Sequence, residues 1–378
     1  MMSKYKVTSL TNSHTNSKFP IVIKKQITEN HVGACFIFHT YERAHGSPSS
    51  AWSAWWRYEG ISGPEYWGKI NPDWTLCEKG KQQSPVDIDP RSLVYDPNLR
   101  PFKMEKKRID AMLMNTGRDV TMAIREDPSN YITILTGPFS YRFRIYQLKI
   151  HFGTVDNAGS EHTIGGQSFA AEIHLIAYNT DLYDNYTSAL ASPHGIVAIA
   201  IFAMLSEKTG NEFDVIGKEF ENIRFKGEKR NISQVLLADI IPKTDHYMTY
   251  EGSLTQPGCQ ETVTWIILNK PIYVTKIQMR QLRQMNQEET PGSILLGNNI
   301  RPTMPLNRRT IRTNISPEAQ SKECSIKKEL FYTVGEKYQG LSTKKTKITT
   351  EEDANKESVD NISETDADKE ENMEGKIE

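Results

Sequence analysis

Cysteine is scarce in this sequence: there are four in 378 residues and no Cys-x-x-Cys pair. That excludes a disulfide-dense scaffold and a cysteine-rich zinc module. Long apolar runs are missing too. None approaches the roughly 18 residues of a membrane span, and the longest, Gly195 to Leu205, predicts a buried strand or helix. Neither sign of charge dominates. The net charge of -1 gives no electrostatic footprint for nucleic acid or an anionic membrane. The 37% hydrophobic content suits a globular core diluted by polar ends. The length allows one large domain of about 250 residues with tails, or two smaller ones.

Composition divides the chain into three. Residues 1–51 are polar and lack a period, apart from a short apolar patch between Val32 and His39. This patch reads as a degraded leader, shorter and more interrupted than a good secretory core. At Trp52 the composition changes, and Trp55, Trp56, Tyr58, Tyr66, Trp67 and Trp74 form an aromatic cluster expected to pack a core. The folded domain is expected over 52–318. Residues 319–378 are expected to be a disordered acidic tail: after Thr350, roughly a dozen acidic side chains face about three basic ones, with no aromatics.

The chemistry lies between Tyr141 and Tyr178. Two segments alternate as half-buried strands do. In the first, Gln147, Lys149 and His151 share a face; in the second, Glu172, His174 and Ile176 do. Gly153, Asp156, Asn157 and Gly159 between them are turn residues. Antiparallel pairing would bring Lys149, His151 and His174 onto one floor. Imidazoles on rigid strands, each oriented by an acceptor such as Gln147 or Glu172, are how metal sites are built.

The motifs Gln147-x-x-x-His151-Phe-Gly, Gly159-Ser-Glu-His-Thr and Ala171-Glu-x-His174-Leu resemble the core of the α-carbonic anhydrases. Further matches are Tyr58-Glu-Gly-Ile-Ser-Gly-Pro-Glu-Tyr-Trp-Gly, Gln83-Ser-Pro-Val-Asp-Ile and the gatekeeper-like run Tyr247 to Cys259. The resemblance runs from about Trp55 to Ile315. It implies a mainly β fold with short peripheral helices, a single domain on a large twisted, mostly antiparallel sheet. The family binds zinc through three histidines. His151 and His174 match the second and third, but Lys149 stands at the first. Asn115-Thr-Gly-Arg118 matches the segment that ends in a proton-shuttling histidine, and here it ends in Arg118. Thr255 and Glu161 match the threonine that orients the zinc-bound hydroxide and its acceptor. His162 matches a packing histidine. Cys77 and Cys259 match a pair bridged in extracellular members; Cys35 and Cys324 have no assigned partner.

Lysine is normally an ammonium with no lone pair to donate. Neutralising it at pH 7 costs about 4.6 kcal/mol from an unperturbed pKa near 10.4. An ammonium in place of the metal, paired with Glu161 or Glu172, is the simpler expectation. Arginine cannot take and release a proton near neutral pH. The chain looks most like the catalytically silent carbonic anhydrase-related proteins X and XI. That resemblance implies a secreted protein-binding module with neuronal cell-surface partners of the neurexin kind and no cofactor. The alternative is a residual carbonate dehydratase holding zinc at low occupancy through His151 and His174. A third possibility is a small-anion site beside Lys149 and Arg118. Asn185, Asn231 and Asn314 begin glycosylation triplets, and His194 is expected on an exposed turn.

Overall fold

A computed structural model describes residues 55–208, 211–291 and 294–316. The leader, the acidic tail, Cys35 and Cys324 lie outside them. Among the described residues, eight strands carry the architecture: β1 (Arg108–Asn115), β2 (Val120–Ile124), β3 (Phe143–Phe152), β4 (Ala171–Asn179), β5 (Ile196–Leu205), β6 (Lys229–Leu236), β7 (Tyr247–Gly252) and β8 (Val263–Leu268). They belong to one 13-stranded sheet, in the order β6-β1-β2-β3-β4-β5-β8-β7. Most neighbours are antiparallel, but β5 pairs parallel with β8. The helices among the described residues are short, the longest being the eight-residue Lys276–Arg283, which opens with a Thr275–Gln278 capping box. The expected mainly β fold is therefore present, with a mixed sheet.

Burial explains the strand sequences. Every residue of β4 is buried, as are the first eight of β5, because the sheet centre is covered on both faces. Such strands become near-continuous β-branched and aliphatic runs rather than alternating ones. The Gly195–Leu205 run accordingly forms β5 and not a helix. On one face Ile173, Leu175 and Ala177 join Ile150, Phe152, Ile199 and Ile201 in the main core. On the other, Ile176 and Tyr178 pack with Trp265, Met248 and Tyr250. Glu172 and His174 share the second face because side chains alternate along a strand.

The β3–β4 connection needs its glycines. A Cβ on Gly153 would lie 1.9 Å from the Ala158 carbonyl oxygen, and one on Gly159 would lie 1.8 Å from that of Ala170. The aromatic cluster of the leading segment packs Trp56, Tyr58, Trp67 and Trp74 against Cys77 and Cys259. Those two cysteines are bridged across a sequence separation of 182, with Cα atoms 5.0 Å apart. Closing a loop that long removes much unfolded-state entropy, so the Cys77→Ser/Cys259→Ser variant is expected to lose about 2–5 kcal/mol. Urea unfolding midpoints of the two proteins check this.

Candidate functional site

The site is a floor on β3 and β4, roofed by the Ser253–Cys259 segment and the extended chain around Asn299–Arg301. The register places Lys149 opposite His174 and His151 opposite Glu172, so the converging face expected from the alternation is formed. The two imidazole rings lie with centroids 4.4 Å apart, and both residues are buried.

Each ring is oriented by a fixed acceptor. His151 Nδ1 donates to the Asn299 carbonyl at 2.7 Å, which turns its Nε2 inward without a hydrogen-bond partner. His174 Nε2 donates to Glu172 Oε1 at 2.7 Å, which turns Nδ1 inward, 3.8 Å from Glu161 Oε2. Glu172 also accepts from His162 Nδ1 at 2.6 Å and from the His162 backbone N–H at 2.8 Å. His162 Nε2 in turn lies 2.7 Å from the Tyr250 hydroxyl, itself 2.8 Å from Ser84 Oγ. So Glu172 orients as expected, and His162, read from the sequence as packing, anchors it.

Burial sets the charge states. It pulls both imidazoles below their ordinary value, the opposing charge of Glu161 on His151 and the hydrogen bond of Glu172 to His174 notwithstanding. Both are therefore neutral at pH 7, with a lone pair facing the pocket. Burial also raises the Glu161 carboxyl, partly countered by His151 and the nearby Thr255 hydroxyl. Glu161 Oε1 accepts the Arg301 N–H at 2.8 Å, while Oε2 has no partner among the described residues. In Glu172 burial acts upward too, but the charge and hydrogen bonds of His162 and His174 hold the carboxyl well below the usual range.

Lys149 does not pair with Glu161 or Glu172. Its Nζ donates to Asp119 Oδ2 at 2.7 Å and to Thr121 Oγ1 at 3.2 Å. Asp119 lies beyond the turn at Gly117 and points back under β3. Thr121 sits directly across from Lys149 in the β2–β3 ladder, which brings both acceptors within the short reach of the buried amine. Asp119 also accepts from Thr116, Thr121 and Gln256. Burial would raise this carboxyl, yet the ammonium of Lys149 and these donors hold it well below the usual range. The pair is nearly sealed, with side-chain exposures of 10% and 3%.

Gln147 makes no side-chain hydrogen bond to a described residue and orients neither histidine. With a lysine at position 149 there is no imidazole N–H beside it to accept. Arg118 is half-buried: its Nε donates to the Trp56 carbonyl at 3.0 Å, and its guanidinium stacks 4.5 Å over the Trp56 ring. Burial lowers its pKa, but it remains a cation unsuited to proton relay. His194 is exposed on its turn, at φ 54°.

A family model, eukaryotic-type carbonic anhydrase, matches residues 62–315. This chain belongs to that family. One relative, carbonic anhydrase-like protein 2 of Caenorhabditis elegans, is 40% identical over 265 residues, spanning 68% of this chain and 79% of the relative. The carbonic anhydrase family normally uses zinc, and the residues here do not fit its three-imidazole site. Two lone pairs converge, from His151 Nε2 and His174 Nδ1, but the third position offers an ammonium that can only donate. Four-coordinate zinc with an open water position needs three protein donors. Glu161 approaches the two histidines, with one ligand atom of each residue within 4.8 Å of the others, but one of its oxygens is already engaged by Arg301.

Sequence reasoning missed three residues. Asp119 carried one signal: a buried lysine needs a counter-charge. Asn299 holds the His151 ring through its main-chain carbonyl, which no side-chain pattern reports. Arg301 is buried beneath Trp67 and donates to Gln83, Ser84 and Cys77, tying the leading segment to the site roof.

Proposed function

We propose that this carbonic anhydrase-family domain is catalytically silent and acts as a secreted module that binds another protein. The observation that carries the reading is the Lys149–Asp119 ion pair at 2.7 Å. It puts a charge-paired ammonium where the family presents an imidazole, and Arg118 replaces the proton-shuttling histidine. Family chemistry depends on zinc lowering the pKa of bound water to about 7, and this donor set does not provide for it. The ion pair also argues against a small-anion site, because the charge of Lys149 is already answered. The Cys77–Cys259 bridge supports an oxidising, extracellular setting. Likeness to the silent related proteins points to a cell-surface partner of the neurexin kind.

The test is metal analysis and CO2 hydration on protein purified without chelators. Substoichiometric zinc and background hydration are expected. Stoichiometric zinc with fast hydration would overturn the reading. One observation favours a second reading, a weak metalloenzyme: His151 Nε2 and Glu161 Oε2 are buried without partners. Slow hydration that rises with added zinc and is lost in His174→Ala would support it.

A further inference from the structure

The sheet face opposite the histidines carries a groove of about 790 Å³. Its floor includes Ile241, part of the main core with Ile173 and Leu175, and Phe102 and Met104, which pack against that core. Its walls carry Lys103, Lys106, Lys243 and Lys270, against one acidic side chain, Asp245. Lys103, Lys106 and Lys243 are exposed and Lys270 is half-buried. Among the described residues the lysine ion pairs are those of Lys149 and Lys226, so no carboxylate answers these four.

We propose that this groove binds a sulfated polysaccharide. Four unanswered ammonium groups along an open channel match a repeating anion, in a chain whose net charge is only -1. Lysine is a compact point charge that attracts sulfate without a preferred fork geometry, whereas paired recognition of carboxylate or phosphate favours arginine. No arginine lines this groove, which weighs against an acidic peptide. Single-stranded nucleic acid calls for a row of aromatic faces on which bases can stack. Here the rings are Phe102 and the His246 imidazole, both half-buried, which do not make such a row. The site depends on the proposed extracellular setting only for where such a polymer would be met. It shares no residue with the histidine pocket, so the two proposals can fail separately.

The experiment uses the full chain and heparin as probe, with binding measured across a sodium chloride series. Wild type is expected to bind at physiological salt and to weaken as salt rises, since screening shortens the reach of exposed charges. A Lys103→Ser/Lys106→Ser/Lys243→Ser/Lys270→Ser variant is expected to bind at least about tenfold more weakly, a factor that corresponds to 1.4 kcal/mol. Its near-UV circular dichroism should match wild type. Equal binding by wild type and the four-lysine variant would overturn the proposal, as would no binding at physiological salt. Equal displacement of heparin by poly-glutamate or by an unsulfated polysaccharide of the same backbone would overturn the assignment to sulfate.

Discussion

Truncating Lys149 to alanine is expected to destabilise the domain by about 3–5 kcal/mol, because it strands the carboxylate of Asp119 in a buried site. Thr116, Thr121 and Gln256 would still donate to it, but no positive charge would remain beside it. The companion variant Lys149→Met/Asp119→Asn removes both charges and is expected to regain most of the loss, since buried ion pairs add little over well-packed neutral groups. Urea titration of the three proteins at pH 7 measures both effects. A cost below about 1 kcal/mol for Lys149→Ala would mean that water reaches Asp119 and that the pair is not sealed.

The same pair sets a pH dependence. The folded Asp119 carboxyl is depressed, so its contribution is fully present above the unfolded value of about 3.9 and disappears as pH falls through the folded pKa. The gap between wild type and Lys149→Met/Asp119→Asn should therefore be flat from pH 5 to 8 and shift against wild type in stronger acid.

Placing histidine at position 149 is expected to restore one zinc per chain. His151 and His174 already present neutral, pre-oriented nitrogens, and a third imidazole completes the donor set of a catalytic site. Lys149→Ala is the control and should gain no metal. Hydration by Lys149→His is expected to stay slow, because Arg118 cannot relay a proton. Adding Arg118→His should raise the rate by about 10²-fold, the low end of what a positioned acid–base group supplies. Metal analysis and stopped-flow hydration separate the two steps. If Lys149→His were recovered without metal, the two remaining histidines would not be poised as their hydrogen bonds indicate.

The fold was legible because its signals are local. The alternation around Lys149 and His151, the Gly153–Gly159 turn and the ordered motifs from Tyr58 to Cys259 are each contained within a dozen residues. The converging face was legible for the same reason: two periodic strands joined by a turn leave few registers. The ion pair was only half legible. Lys149 stood out, but Asp119 follows a Thr-Gly turn, where a charged side chain reads as solvated. Its burial comes from β2 lying beside β3 and from Gln256 closing over it, both products of tertiary structure. Gln147 failed in the opposite way. Its position was read correctly, while its task belonged to an imidazole this chain does not have.

The parallel pairing of β5 with β8 bears on how the domain acquires its structure. Ile196 meets Val263 and Ala200 meets Ile267, so this pairing cannot zip up from a hairpin. The segment holding β6 and β7 must be looped out before β5 and β8 gain contact energy from each other, and loop closure of that length precedes its reward. Refolding should therefore be slow, and a nascent chain must complete β8 before β5 loses its exposed edge.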